Sequence, residues 1–252
     1  MALSGLNSPV SRARSPVGAG SKRTHILNAT GILSDMDGTL IDSTEAIVQH
    51  WKRVGEIYNI DPKTILKNSH GRRSIDVYKQ IDPAKATWDY VIELERQVPE
   101  RWGDSASAIP GAHELLESLE SLQAKWAIVT SGTRPLVEGW LKRLNLVAPE
   151  NMVTAETVVN GKPDPEGYQL GATKLGLGED TKSVLVLEDA PAGVRAGKAA
   201  GCMVLGLATS HSVQDIKDAG ADWVVRDLKS VKVQRDPFVS DRLEVQLGDL
   251  LD

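Results

Sequence analysis

Gly31-Ile32-Leu33-Ser34-Asp35-Met36-Asp37-Gly38-Thr39-Leu40-Ile41-Asp42 runs from a short apolar segment straight into two carboxylates separated by one residue. The segment reads as a buried strand, and the acids as the loop that leaves it. Asp and Gly are also the commonest loop residues, so the quartet Asp35 to Gly38 reads equally as an acidic turn or as a reaction centre. What separates the two readings is whether the remaining chain supplies the groups that such a pair of acids needs.

Working outward, short apolar runs recur at Trp126 to Thr130, Met152 to Ala155, Val184 to Glu188, Met203 to Leu207 and Trp223 to Val225. Amphipathic segments alternate with them. Pro110 opens one that places Leu115, Leu116, Leu119 and Leu122 on a single helical face, and Pro135 opens another carrying Leu136, Val137, Trp140, Leu141 and Leu144. Strands alternating with helices predict an α/β fold: a doubly wound, mainly parallel Rossmann-like sheet. Three of the strands end in Asp35, Thr130 and Glu188-Asp189, and ligands of such sheets bind outside the carboxyl ends of the strands.

From about 45 to 108 the alternation stops. Ile47, Val48, Trp51, Val54 and Tyr58 have helical spacing, and Asp42 and Glu45 are spaced as an N-terminal capping pair. Helices inserted directly after the acidic loop read as a lid over the strand ends, or as an elaboration with no part in chemistry. The expected division is a tail over 1–24, a catalytic core over 25–44 and 109–235, a helical cap subdomain over 45–108 and a C-terminal tail over 236–252.

The composition, 41% hydrophobic and 25% charged over 252 residues, is that of a globular protein. Residues 1–24 carry Arg12, Arg14, Lys22 and Arg23 and no acid, so the rest of the chain holds 25 basic against 34 acidic residues. An acidic body argues against nucleic acid as the main ligand. No apolar run approaches the ~18–20 residues of a membrane span. The single cysteine, Cys202, excludes an internal disulfide and suggests a reducing compartment, so a cytoplasmic protein is expected. The basic tail lacks the apolar region of a secretory signal; an organellar transit peptide is its other reading, although Pro9, Pro16 and its glycines spoil an amphipathic helix.

Three further signals accompany the acidic quartet: Thr130-Ser131-Gly132-Thr133, Lys162-Pro163 within Asn160 to Pro165, and Glu188-Asp189-Ala190-Pro191-Ala192-Gly193. In this order they resemble the four motifs of the haloacid dehalogenase-like phosphohydrolases, over about residues 30 to 230. The physical case runs alongside. A carboxylate that attacks a phosphate monoester meets repulsion of about 5 kcal/mol per unit-charge pair at ~3.5 Å and an effective dielectric near 20. Positive charge must cancel it. A divalent ion on hard oxygen ligands does so, and Asp35 and Asp189 are the evident carboxylates. Glu188 ligates directly or through water, and the resemblance implies Mg²⁺ with the backbone carbonyl of Asp37 as a further ligand.

Lys162 would add a second positive charge on the transferring phosphoryl group, and Thr130 a hydroxyl donor to one of its oxygens. Read singly, Lys162 is a solvated loop lysine and Thr130 a strand-end turn; their company changes that. The mechanism that follows has Asp35 as nucleophile and Asp37 as acid and then base. Gly38 lets the chain turn, and Gly38, Thr39, Ser131 and Gly132 are expected around the phosphate. In the lid, Arg72 or Arg73 would reach the substrate, or else form a solvated basic pair, while His70 is expected to pack within the lid.

The resemblance also bears on the acceptor. Phosphatases of the family usually carry Thr after the acidic motif, as Thr39 does, where β-phosphoglucomutases often carry Val and place a His where this chain has Ile47. Hydrolysis is the better reading, a phosphosugar mutase the second, and a degenerate phosphometabolite-binding relative the least supported, since Asp35, Asp37, Lys162 and Asp189 are all present. Ser69 to Ser74, Gly161 to Glu166 and the run from Glu188 to Cys202 look like the fungal glycerol-phosphate phosphatases and their 2-deoxyglucose-6-phosphate phosphatase relatives. That likeness implies a small phosphorylated metabolite as substrate, glycerol 3-phosphate or glycerol 1-phosphate first, and a monomer is expected.

Overall fold

The computed structural model describes residues 24–69, 71–178 and 181–251. The tail expected over 1–24 lies outside them except for its last residue, and so does His70. In chain order the first elements are β1 (His25–Ala29), β2 (Gly31–Ser34), β3 (Ile41–Asp42), α1 (Thr44–Tyr58), α2 (Pro62–Ser69), α3 (Ser74–Ile81), α4 (Trp88–Trp102) and β4 (Ser107–Ala108). Then follow α5 (Ala112–Ser121), β5 (Trp126–Val129), α6 (Arg134–Arg143), β6 (Asn151–Val153), α7 (Glu166–Lys174) and β7 (Val184–Glu188). The chain closes with α8 (Pro191–Ala199), β8 (Met203–Leu207), α9 (Val213–Asp218), β9 (Trp223–Val225), β10 (Val231–Arg235) and β11 (Leu243–Leu247).

Six strands form one parallel sheet in the order β6-β5-β2-β7-β8-β9. All six are the runs read from the sequence, because strands covered on both faces must be apolar throughout and so stand out as short hydrophobic blocks. Alternation still sorts their side chains. Ile32, Leu185 and Leu187 point to one layer with Leu116 and Trp140, while Leu33, Val184 and Val186 point to the other with Tyr168 and Val194. Chain order reverses around β2, which has β5 on one side and β7 on the other. Ser34 is level with Ile128 of β5 and Leu187 of β7, so Asp35, Thr130 and Glu188 emerge along one edge of the sheet.

The helices between β3 and β4 share their own apolar cluster, built from Trp51, Val54, Ile65, Ile75, Val77, Tyr78 and Val91. Asp42 and Glu45 do not form the expected capping pair. The helix starts one residue later, with Ser43 at its N-cap making no side-chain cap bond, because the Ser43 hydroxyl donates to Asp37 at 2.6 Å instead. Glu45 accepts from Gln49 on the helix surface. Ser107–Ala108 also pairs with Ile41–Asp42, a short strand in a stretch read as purely helical.

The stretch beyond 230 is not an irregular tail. β11 is the central strand of a three-stranded antiparallel sheet, between β1 and β10. Leu243, Val245 and Leu247 are buried in the layer of α5 while Glu244 and Gln246 point outward, the alternation of a sheet wet on one face. Among the described residues no helix is long and apolar enough to cross a membrane.

Candidate active site

Asp35 leaves the end of β2 with its N–H donating to the Leu187 carbonyl of β7 at 3.0 Å, which fixes it beside the neighbouring strand end. The loop after it is tight: the Met36 carbonyl accepts from the N–H groups of Thr39, Leu40 and Ile41. Gly38 makes the turn at φ +86°, and a Cβ there would stand 2.1 Å from Asp189 Oδ2, so both the conformation and the close approach require glycine.

Lys162 joins the loop after β6 to both acidic strand ends. Its Nζ donates to Asp35 Oδ1 at 2.5 Å and to Glu188 Oε1 at 2.6 Å, and it lies over the Tyr168 ring. Burial alone would lower the lysine pKa, but Asp35 and Glu188 more than reverse that and hold it above its ordinary value. Glu188 is fully buried. Its Oε1 also accepts from the Tyr168 hydroxyl at 2.8 Å, and its Oε2 from the N–H groups of Asp189 and Ala190 at 3.0 Å each. A carboxylate offers about four lone-pair positions, and four donors fill them here. A Cβ on Gly193, in the first turn of α8, would come within 1.6 Å of Oε1, so that helix approaches closely because the residue has no side chain.

Asp189 is held from behind. Thr39 donates to its Oδ1 at 3.2 Å and Ser210 to its Oδ2, while His211 Nδ1 lies 3.1 Å from its carbonyl. Thr209 donates to the Gly38 carbonyl at 2.5 Å. Carboxylate oxygens of Asp35, Glu188 and Asp189 lie within 4.8 Å of one another. Burial raises the pKa of Asp35 well above the usual carboxylate range against the pull of Lys162, and burial followed by Glu188 pushes Asp189 up to about 7. Three buried acids against one lysine leave negative charge uncompensated, and an all-oxygen set of this kind suits a hard divalent cation. The residues therefore fit Mg²⁺. Asp35 and Asp189 would hold it, while Glu188 would reach it only by giving up one of its four bonds. The Asp37 carboxylate stands outside this cluster; burial raises its pKa while the Ser43 hydroxyl opposes that.

A cavity of about 110 Å³ separates these strand ends from the lid. Asp35, Asp37, Gly38, Thr130, Ser131, Gly132, Lys162 and Asp189 line its core wall. Thr130 Oγ1 accepts the Gly132 N–H at 3.0 Å, which leaves its own O–H to donate into the cavity. Thr39 does not face this space; it is buried beneath Asp189.

The two lid arginines part company. Arg72 is exposed and borders the cavity. Arg73 does not line this cavity: only 5% exposed, it pairs with Asp76 at 2.8 Å and donates to the Val158 carbonyl at 3.0 Å, tying the start of α3 to the loop that leads to Lys162. Sequence reading missed Ser43, Glu95, Tyr168, Thr209 and Ser210. Strand-end logic carried two and three residues past β8 finds Thr209 and Ser210, whereas Tyr168 and Glu95 sit within helices and carry no local signal.

The model of the haloacid dehalogenase-like hydrolase family matches residues 32–207, which contain Asp35, Asp37, Thr130, Lys162, Glu188 and Asp189. The chain belongs to the haloacid dehalogenase-like hydrolases. Among relatives of this hydrolase, glycerol-1-phosphate phosphohydrolase 1 of Saccharomyces cerevisiae is 38% identical over 89% of this chain and 93% of its own. The 2-deoxyglucose-6-phosphate phosphatase 2 of the same yeast is also 38% identical, over 80% and 89% of the two chains. Hexitol phosphatase A of Escherichia coli is 35% identical over 84% and 97%. A solved hydrolase from Pseudomonas syringae superposes with a TM-score of 0.69 at 31% identity, over 80% of this chain and 94% of the other. The haloacid dehalogenase-like hydrolase described here is a phosphoric monoester hydrolase.

Proposed function

We propose that this hydrolase is a Mg²⁺-dependent phosphatase of small polyol phosphates, glycerol 1-phosphate and glycerol 3-phosphate first, working through a phosphorylated Asp35. The observation that carries the reading is Lys162 bridging Asp35 and Glu188 on the wall of a small cavity, a buried cation already held against the attacking group. Asp35 attacks phosphorus, the P–O bond to the alcohol breaks, and Asp37 hands its proton to the departing oxygen. Burial favours the protonated form of Asp37 that this step needs. Water then attacks the phosphorylated Asp35, Asp37 takes the proton back, and inorganic phosphate leaves with the carboxylate restored. Lys162 and Thr130 hold the phosphoryl oxygens throughout. When bound at Asp35 and Asp189, Mg²⁺ supplies Lewis-acid polarisation of a phosphoryl oxygen.

Ile47 favours water over a sugar hydroxyl as acceptor: it lies on the cavity wall and has no proton to exchange with a second substrate. The yeast and bacterial relatives support a polyol or sugar phosphate. Phosphate release from glycerol 1-phosphate, glycerol 3-phosphate, 2-deoxyglucose 6-phosphate, sorbitol 6-phosphate and β-glucose 1-phosphate, with Mg²⁺ and with EDTA, tests the proposal. The glycerol phosphates are expected to turn over fastest and EDTA to stop release. A dominant preference for 2-deoxyglucose 6-phosphate overturns the polyol assignment, and conversion of β-glucose 1-phosphate without free phosphate overturns hydrolysis.

A further inference from the structure

Glu95 lies in the middle of α4, yet it is only 4% exposed and borders the cavity. Its Oε1 accepts from the Ser74 hydroxyl at 2.5 Å, and its Oε2 from the backbone N–H of Thr133 at 2.7 Å. Thr133 belongs to the core loop that follows β5, so the carboxylate spans from the lid to the core at the edge of the cavity, with Asp37 near enough to act on its charge. Among the described residues that line the cavity, it is the single carboxylate contributed by the lid; Asp35, Asp37, Glu188 and Asp189 all belong to the core wall. Ser69 and Ser74 lie on the same lid surface, with Ile47, Val48, Trp51 and Leu66 around them.

The Ser74 hydroxyl and the Thr133 N–H, with the Thr133 hydroxyl also near enough to act on the charge, leave part of a carboxylate's acceptor capacity unfilled. A buried charge left in that condition is costly, and a bridge between Ser74 and Thr133 alone would be served by a neutral amide. A ligand rich in hydroxyls supplies the missing donors. A ligand carrying its own carboxylate would set like charges together in a site with little water to screen them. We infer that Glu95 selects the leaving alcohol, accepting hydrogen bonds from the hydroxyls of a neutral polyol and turning away phosphate esters whose alcohol portion carries a carboxylate. The inference rests on the phosphatase reading above and names the lid residue that gives that site its substrate class.

The test compares, at pH 8.5, above the value of about 7 to which burial raises Glu95 and so with its carboxylate ionised, kcat/KM for glycerol 1-phosphate with that for 2-phosphoglycolate in the wild-type chain and in Glu95→Gln. Gln keeps the size of the side chain and an acceptor for Thr133 while removing the charge. The ratio is expected to fall at least tenfold, through loss on the polyol ester and gain on the carboxylate ester. Glu95→Asp, which keeps the charge but draws it back by one methylene, is the second variant and must also lower the ratio. A ratio unchanged in either variant that retains the wild-type circular dichroism spectrum, including an equal loss on both esters, overturns the inference and makes Glu95 a bridge only. Phenyl phosphate with the wild-type chain keeps the two readings apart: no release from it or from either ester defeats the phosphatase reading itself.

Discussion

On the core wall of the cavity, Asp35, Thr130 and Glu188-Asp189 each stand where a parallel strand ends, and Lys162 reaches Asp35 and Glu188 from one loop. On the lid wall, Ser69, Arg72, Ser74 and Glu95 come from three helices and the turn between two of them. The core groups are held by backbone register and by bonds to one another, so their arrangement follows from the fold itself. The lid groups meet only because α1 to α4 pack on a separate apolar cluster and α4 leans on α6, where a Cβ on Gly139 would lie 2.8 Å from Pro99. In the function proposed above, chemistry falls to the first wall and choice of substrate to the second.

Substitutions on the core wall should therefore strike every substrate alike. Asp35→Asn is expected to lower phosphate release by on the order of 10⁴-fold or more on any ester. It should also abolish the acid-stable phosphoenzyme trapped by rapid quench, and a near-normal rate would remove the nucleophile from this wall. Lys162→Met comes next. It removes a charge-assisted donor from the phosphoryl group, which is expected to cost about 10²–10³ in kcat. It also leaves Asp35 and Glu188 buried without their shared cation, which should cost about 3–5 kcal/mol of stability. Steady-state kinetics and urea unfolding measure the two, and a loss confined to one ester would break the division between the walls.

The smallest effect probes the lid. Burial raises Glu95 from 4.5 to about 7, and burial with Arg53 lowers His50, packed against Trp51 and Trp102, from 6.5 to about 4. For Glu95 the folded chain holds the proton more tightly, so its contribution to stability is complete below pH 4.5 and is lost as pH rises to about 7. For His50 the unfolded chain holds it more tightly, so its contribution is complete above pH 6.5 and is lost as pH falls to about 4. Each amounts to on the order of 3 kcal/mol, and the two slopes oppose. Urea unfolding across this window should show Glu95→Gln gaining on the wild-type chain as pH rises and His50→Gln gaining as pH falls. Curves that stay parallel to the wild type would show that neither group is held as the packing implies.

Legibility followed the same division. Six strands and the strand-end groups could be read because doubly covered strands are apolar blocks and because reactive side chains at their ends are local in sequence. The partners of Glu188 could not. Tyr168 falls in a helix whose sequence announces only a buried face, and the two backbone donors belong to a turn. Thr39 sits inside the acidic motif yet serves Asp189, since nothing in spacing says which side of a tight loop a hydroxyl faces. Arg72 and Arg73 are adjacent, and a single step in chain direction sends one to the cavity and the other to Val158. In β11 the alternation of Leu243, Val245 and Leu247 is present, but the charged and polar residues around them read as an irregular tail when they are the solvent side of a sheet.

Lys162 keeps one partner that reacts and one that does not. In the cycle proposed above, Asp35 is esterified in one half and free in the other, so its grip on the ammonium group comes and goes with every turnover. Glu188, with four donors fastened to it, is the same in both halves. The lysine therefore never has to be recaptured from solvent between catalytic events. Its orientation is settled once, when the chain folds, and each later turnover starts with the charge already aimed.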